Sequence, residues 1–216
     1  MWNDISPVWQ TAFREMWTAF REGSVPIGAV LCDAEGSVIL SDRNRNHAAE
    51  TVNRRIAHAE VNLLRRLDTD SYDPKTLTLY STMEPCPMCM GAALMAGIRR
   101  IRSAARDSYC GMTHLAGSEP YYASKNVVCT FEGGDLELVQ LTVQAYFELR
   151  HIDAGAGRKV FEAFAAHCPQ AAETAEKLYA EKLLDDAAGA DISDVFDRIL
   201  REIHGTNRTR KGKSLL

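Results

Sequence analysis

Two short segments constrain this chain more than anything else in it: His58-Ala59-Glu60 and Pro85-Cys86-Pro87-Met88-Cys89. Cys86 and Cys89 stand three apart, a spacing that brings both side chains to one face of a helix and both sulfurs to one point. Pro87 between them is tolerated in a first helical turn, where its missing N–H has no intrahelical partner to lose. The second segment therefore opens a helix, and the positive end of that helix favours thiolates over thiols. His58 and Glu60 are two apart, which in mid-helix would set them on nearly opposite sides. Both face one site only where the chain is just entering a helix. A fold that uses all four residues together must set two helix starts side by side at one edge of a sheet.

The apolar pattern around these segments supplies such a fold. Helical spacing of Val8, Ala12, Met16, Ala19 and Phe20 predicts a helix over 8–22, ended by Gly23. Short apolar runs predict strands over 26–31 and 38–40, with a turn between them. Residues 43–55 are polar and read as a surface loop. A helix is expected over 56–67, a strand over 77–80, a helix over 87–98 ending near Gly97, and a strand over 100–104. Strands alternating with helices imply a sheet covered on both faces, with a right-handed crossover from 77 to 101 joining parallel strands. Residues 107–126 are rich in Gly, Ser and Tyr and read as a pocket rim. A further helix is expected over 135–150. Gly155-Ala156-Gly157 marks a break. Ala-rich helical stretches then follow over about 158–167, 169–188 and 191–204, and a basic polar tail, read as disordered, closes the chain. The expected organisation is a domain over 1–154, a helical C-terminal extension over 155–204, packed on the core or on a second subunit, and the tail over 205–216.

Composition narrows the setting. The chain has 216 residues and a formal net charge of -4, which gives no general attraction to phosphate backbones. Met1-Trp2-Asn3-Asp4 lacks the basic start and apolar run of a secretory signal, and no stretch is long and apolar enough to span a bilayer. The six cysteines form no compact framework of paired spacings. A reducing cytoplasm is the natural expectation, without membrane contact.

His58, Cys86 and Cys89 are borderline or soft ligands suited to one zinc ion per chain. Three protein ligands leave one tetrahedral position open for water, which separates a catalytic zinc from a structural one. Glu60 is then not needed as a ligand and is free to move protons. Two other readings stay open. A fourth ligand from Cys110, His114 or His47 would close the site into a structural one. A Cys-x-x-Cys after a strand and at a helix start is also the setting of a thiol–disulfide oxidoreductase, although that reading assigns no role to His58 or Glu60.

The segment from Val8 to Arg150 resembles the cytidine deaminase-like superfamily, in the branch that holds bacterial tRNA adenosine deaminases and small guanine or cytosine deaminases. Val25-Pro26-Ile27-Gly28-Ala29-Val30-Leu31, Ala57-His58-Ala59-Glu60-Val61 and Met83-Glu84-Pro85-Cys86-Pro87-Met88-Cys89 with Gly91-Ala92 carry the match. The resemblance implies an α/β fold, a three-layer α/β/α arrangement with a five-stranded mixed sheet, a zinc between two helix starts, and often a homodimer. It also implies that Glu60 is the catalytic proton carrier, that backbone groups near Met83 and Glu84 hold the intermediate, that Asn44 binds the substrate, and that Asp107 edges the pocket. The region after about Gly155 is not explained by it.

The reaction so implied is hydrolytic deamination of an amino-substituted nucleobase or nucleoside, with release of ammonia. A tRNA adenosine-to-inosine deaminase is the alternative. A tRNA partner asks for a basic stripe across the mouth of the site. Here the densest basic cluster is Arg208-Thr209-Arg210-Lys211-Gly212-Lys213 in the tail. Arg54, Arg55, Arg65, Arg66, Arg99, Arg100 and Arg102 form pairs of the kind that usually solvate helix faces. The sequence therefore favours a small nucleobase or nucleoside substrate over tRNA.

Overall fold

The computed structural model describes residues 1–152 and 157–213, and the side chains up to residue 205. The expected break at 155–156 lies outside the described residues. The backbone divides into two compact units, one of Ser6–Glu137 and one of Met1–Ile5 with Leu138–Leu216.

The first unit is built on α1 (Pro7–Arg21), β1 (Gly28–Cys32), β2 (Val38–Arg43), α2 (Ala59–Leu64), β3 (Thr78–Met83), α3 (Pro87–Met95), β4 (Arg100–Ala105), α4 (Leu115–Ser118), α5 (Pro120–Ala123) and β5 (Val128–Phe131). The five strands form one sheet in the order β2-β1-β3-β4-β5. β1 runs antiparallel to β2 and β3, whereas β3, β4 and β5 are parallel. This is the mixed five-stranded α/β sheet that the pattern and the resemblance imply. β5 is a strand that the sequence reading does not single out. It has only four residues, and Val128 and Thr130 are exposed, so its apolar alternation is too short to stand out.

Each face of the sheet is covered for a legible reason. Residues of β1, β3 and β4 that alternate onto one face, Ala29, Leu31, Leu79 and Ile101, bury against Ala59 and Leu63 of α2 and Met90, Ala93 and Leu94 of α3. α1 lies on the other face, with Trp9 edge-on to Tyr80 of β3 at 5.2 Å. Its approach is close enough that a Cβ on Gly28 would stand 2.1 Å from the Ala12 carbonyl oxygen. Gly28 is thus a packing requirement, not a turn residue. Gly23, just beyond α1, has φ +75°, the left-handed conformation in which helices end.

Two predicted boundaries move. The helix expected over 56–67 is regular only for Ala59–Leu64, because Arg54–Ile56 forms a separate 3-10 turn and His58 is extended, with φ −75° and ψ 152°. The loop expected over 43–55 is not wholly on the surface. Asn44 is buried, with its N–H donated to the Ile27 carbonyl at 2.9 Å.

α6 (Gly134–Arg150) leads into the second unit, followed by α7 (Gly157–His167), α8 (Pro169–Ala180), α9 (Leu183–Asp186) and α10 (Ile192–Lys213). The stretch expected as one helix over 169–188 is broken at Lys182, whose φ of 53° is left-handed. The backbone of the basic segment continues α10 to Lys213. This unit has its own core. Phe164, Leu178, Leu184, Ile192, Phe196, Ile199, Leu200 and Ile203 are buried. Tyr146 donates to Asp185 at 2.6 Å and meets Tyr179 edge-on at 5.3 Å. The first residues of the chain belong here, with Trp2 edge-on to Phe196 at 5.5 Å and its N–H donated to Asp197 at 2.6 Å.

Candidate active site

His58 is the residue before the first turn of α2, and Cys86 is the residue before the first turn of α3, with Pro87 at the first helical position. The extended backbone at His58 turns its ring toward the same point that Glu60, one residue into the helix, also faces. The two-residue spacing that is awkward in a helix interior is thereby resolved. His58 Nδ1 lies 3.6 Å from the Cys86 sulfur and 3.5 Å from the Cys89 sulfur, and the two sulfurs are 3.6 Å apart. Zinc–sulfur bonds of about 2.3 Å and zinc–nitrogen bonds of about 2.0–2.1 Å at tetrahedral angles require S···S near 3.8 Å and N···S near 3.6 Å. The triangle of donors therefore fits one zinc ion without rearrangement. Among the described residues, His58, Cys86 and Cys89 are the group of candidate ligands that converges in this way.

Among the described residues no fourth ligand closes the site into a structural one. Cys110 directs its thiol to Asp107 Oδ2 at 3.2 Å, and neither it nor His47 nor His114 joins the ligand group. The thiols are tuned before any metal arrives. The Cys86 thiol is pulled down to about 4, chiefly by its hydrogen bond with Cys89, and the His58 ring adds to the effect. That same hydrogen bond, with burial, pushes the Cys89 thiol up. His58 is shifted upward, first by its contact with Cys86. Held by His58, Cys86 and Cys89, a zinc ion would need both sulfurs as thiolates, which would end this competition.

Glu60 is 3% exposed, and burial pushes its carboxyl above the ordinary range. Its Oε1 accepts from the Ser81 hydroxyl at 3.0 Å, and its Oε2 accepts from the Cys89 thiol at 3.3 Å. Ser81 meets Glu60 because it alternates with Leu79 onto the α2 side of β3. The sequence reading misses Ser81. Its only signal is a hydroxyl in the middle of an otherwise buried strand.

The four substrate-side residues of the sequence reading fall in different surroundings. Asn44 follows β2. Its Oδ1 accepts from the Asn46 N–H at 2.9 Å, and its side-chain nitrogen has no hydrogen-bond partner among the described residues. The next residue, Arg45, donates its N–H to the Ala57 carbonyl at 2.9 Å, tying this stretch to the turn before His58. Met83 is buried at the end of β3. The Glu84 N–H donates to the Ala105 carbonyl at 2.9 Å. The Glu84 carboxylate accepts from the N–H of Asp107 at 3.2 Å, from the N–H of Thr113 at 3.1 Å and from the Thr113 hydroxyl. Met112 donates to the Pro85 carbonyl at 3.0 Å. Glu84 and Pro85 thus latch the loop 107–113 beside the cysteines. Gly111 fits under this latch only without a side chain, since a Cβ would stand 2.4 Å from Glu84 Cδ. Asp107 accepts from the N–H groups of Tyr109 and Cys110, each at 2.9 Å, and so caps its own turn.

A family model for the cytidine and deoxycytidylate deaminase zinc-binding region matches residues 3–105. The tRNA-specific adenosine deaminase of Bacillus subtilis is 38% identical over 100 residues, which are 44% of this chain and 58% of that protein. The cytosine deaminase of Candida albicans is 30% identical over 112 residues, covering 49% of this chain and 69% of that one. A solved structure from a study of A-to-I editing by tRNA:A34 deaminases is 30% identical, with a TM-score of 0.48, and covers 59% of this chain and 96% of that one. The family model, with 30% identity over more than two thirds of the Candida protein, shows that the chain belongs to the cytidine and deoxycytidylate deaminase family with its zinc-binding region. It spans somewhat under two thirds of the length of the Bacillus relative. Among the described residues, no helix is long and apolar enough to cross a membrane.

Proposed function

We propose that the protein catalyses hydrolytic deamination of an amino-substituted nucleobase, taken as the free base or nucleoside, with release of ammonia. The observation that carries this reading is the convergence of Glu60 with an open three-ligand set. A zinc ion held by His58, Cys86 and Cys89 supplies Lewis-acid activation of a water molecule. Everything else falls to the chain itself. Once Cys89 is a thiolate it has no proton to donate, so Glu60 Oε2 is released to accept one. Ser81 holds the opposite oxygen and keeps the carboxylate aimed. Glu60 takes one proton from the attacking water and gives it to the ring nitrogen, then takes the second from the hydroxyl newly added to the ring carbon and gives it to the departing amine, acting each time as base and then as acid. Burial suits it to the task, because a carboxyl raised above its ordinary range holds a proton more readily than a solvated one. Asn44, with an uncommitted side-chain nitrogen, is available to hold an acceptor atom of the base. The thiol–disulfide alternative leaves His58 and Glu60 without a task.

A tRNA adenosine substrate is the second reading. The name of the Bacillus relative favours it, and so do Arg54 and Arg55, exposed on the turn immediately before His58. A second copy of the chain is the expected assembly partner. α3 is apolar on its outer side as well, with Met95 74% exposed. The test of the reaction is ammonia release from zinc-loaded protein offered free bases, nucleosides and tRNA in parallel. Release from guanine, cytosine or a nucleoside supports the first reading, and release from tRNA alone supports the second. No release from any of them removes both.

A further inference from the structure

A second polar concavity lies between the end of β2 and the last turn of α2, away from the metal ligands. It has a volume of about 550 Å³ and is lined by Asp42, Arg45, Asn62, Arg65 and Arg66. Paired arginines on a short helix are usually a solvated face. What departs from that default is Asp42, which is 3% exposed. Its Oδ1 accepts from Arg45 Nε at 2.8 Å and from the Arg43 N–H at 2.8 Å, and its Oδ2 accepts from Arg66 Nη1 at 2.9 Å. One buried carboxylate thus aims two guanidinium groups into one cleft. Neither swings away without leaving a buried charge short of a partner.

The remaining contacts do not exhaust these cations. Arg66 Nη1 also donates to the Ser41 carbonyl at 3.2 Å, and Arg45 Nη1 reaches the exposed Glu50 at 3.4 Å, a weak pair in water. The Arg65 side chain makes no hydrogen bond or ion pair among the described residues, while its backbone N–H donates to the Val61 carbonyl at 3.0 Å. Three cations against one buried anion leave net positive charge and unspent N–H groups on a concave wall. Pre-aimed guanidinium forks match the tetrahedral oxygens of a phosphate group and bind it in bidentate fashion. The cleft also shares its wall with the metal-site turn, since Asn62 Nδ2 donates to the carbonyls of Arg43 and Ala57 at 2.9 and 3.1 Å. α2 has six residues and is about 9 Å long, so the cleft stands roughly one short helix away from His58.

We propose that the Asp42-anchored arginine cleft is a phosphate-binding site, occupied by a phosphate of a nucleotide or of a polynucleotide strand. The choice of these carriers rests on the reaction proposed above; the phosphate site itself does not. Calorimetric titration of the zinc-loaded full chain with inorganic pyrophosphate tests it without any turnover. The expected result is saturable binding that weakens with added salt and becomes about tenfold weaker or more in Arg65→Ala, the loss of one charge-assisted contact. The Arg65 guanidinium has no partner among the described residues and alanine keeps the backbone N–H bond to Val61, so the substitution is expected to leave the fold intact. Lys75→Ala, exposed and outside the cleft, is expected to bind like the parent. Competition by a nucleoside monophosphate at matching affinity assigns the site to small nucleotides, and competition by a short single-stranded oligoribonucleotide at far lower concentration assigns it to a strand. The proposal is overturned by unsaturable heats, by equal binding in Arg65→Ala, by equal loss in Lys75→Ala, or by a site that neither competitor reaches. Absence of deamination, with pyrophosphate binding intact, would remove only the reaction.

Discussion

Glu60 and Cys89 touch one another, yet their removal should have opposite signatures. Cys89 is one corner of the donor triangle, and two remaining donors do not hold zinc against dilution. Cys89→Ala is expected to lose both bound metal and ammonia release, read by zinc content per chain alongside activity. A fully metallated and active Cys89→Ala protein would show that the triangle is not the metal site. Glu60 stands behind the ligands and accepts from Ser81. Glu60→Gln preserves its shape and hydrogen-bonding reach but not its basicity. It is expected to keep zinc while losing at least ~10²-fold in rate, the scale of a positioned acid–base group. Loss of zinc in that variant would make Glu60 a ligand instead.

At the scale of elements, the seat of α1 on the sheet is the sharpest packing constraint. A methyl group on Gly28 would meet backbone atoms of α1, the Ala12 carbonyl at 2.1 Å and the Met16 nitrogen at 2.6 Å, and backbone cannot step aside as a flexible side chain can. Gly28→Ala is expected to destabilise by about 1–3 kcal/mol, read as a melting temperature lower by about 2–4 °C per kcal/mol. A second tie joins the end of α1 to the end of β2. Arg43 donates from Nε and Nη2 to the two Glu22 oxygens, each at 2.7 Å. The hydrogen bond from Arg43 holds the Glu22 carboxyl below its ordinary value. A carboxyl lowered in the folded state contributes stability above the ordinary carboxylate range, and that contribution is lost as pH falls through the lowered value. The pair is partly solvated, so Glu22→Gln is expected to cost under ~1 kcal/mol at neutral pH. In denaturant melts that difference should vanish in strongly acid buffer; a cost that persists there would point to packing instead.

At the scale of the whole chain, its two ends meet within one helical unit. Trp2 donates its N–H to Asp197 and packs edge-on against Phe196, so the first five residues belong to a core that otherwise begins at Leu138. Trp2→Ala is expected to destabilise that unit by about 3–5 kcal/mol, the range for a buried aromatic side chain. Hydrogen exchange should then accelerate in α8 and α10 more than in β1, β3 and β4. Uniform acceleration across the chain would mean that the two units unfold together. We further propose that a cut before Gly155 yields a poorly soluble protein, because it strips Tyr146 and Arg150 of their partner Asp185.

The metal ligands were legible from sequence because their geometry is local. A proline at a first helical turn, two cysteines three apart, and a histidine two before a glutamate each report a helix start within a few residues of themselves. The order of strands and helices was legible for the same reason, through apolar runs that bury one face. β5 was not, since four half-exposed residues carry too little of that signal. Contacts between distant positions left no local trace. Nothing near Ser81 announces Glu60, nothing near Glu84 announces Thr113, and nothing in Asp42 announces that it gathers Arg45 and Arg66. The motif singles out the backbone near Glu84, and nothing local announces that the Glu84 carboxylate holds the loop that flanks the cysteines. The sequence by itself thus determined which side chains could form the metal triangle and the elements that present them. Only the tertiary structure decided what each of them touches, because those contacts are set by how the strands align and how the helices pack on the sheet.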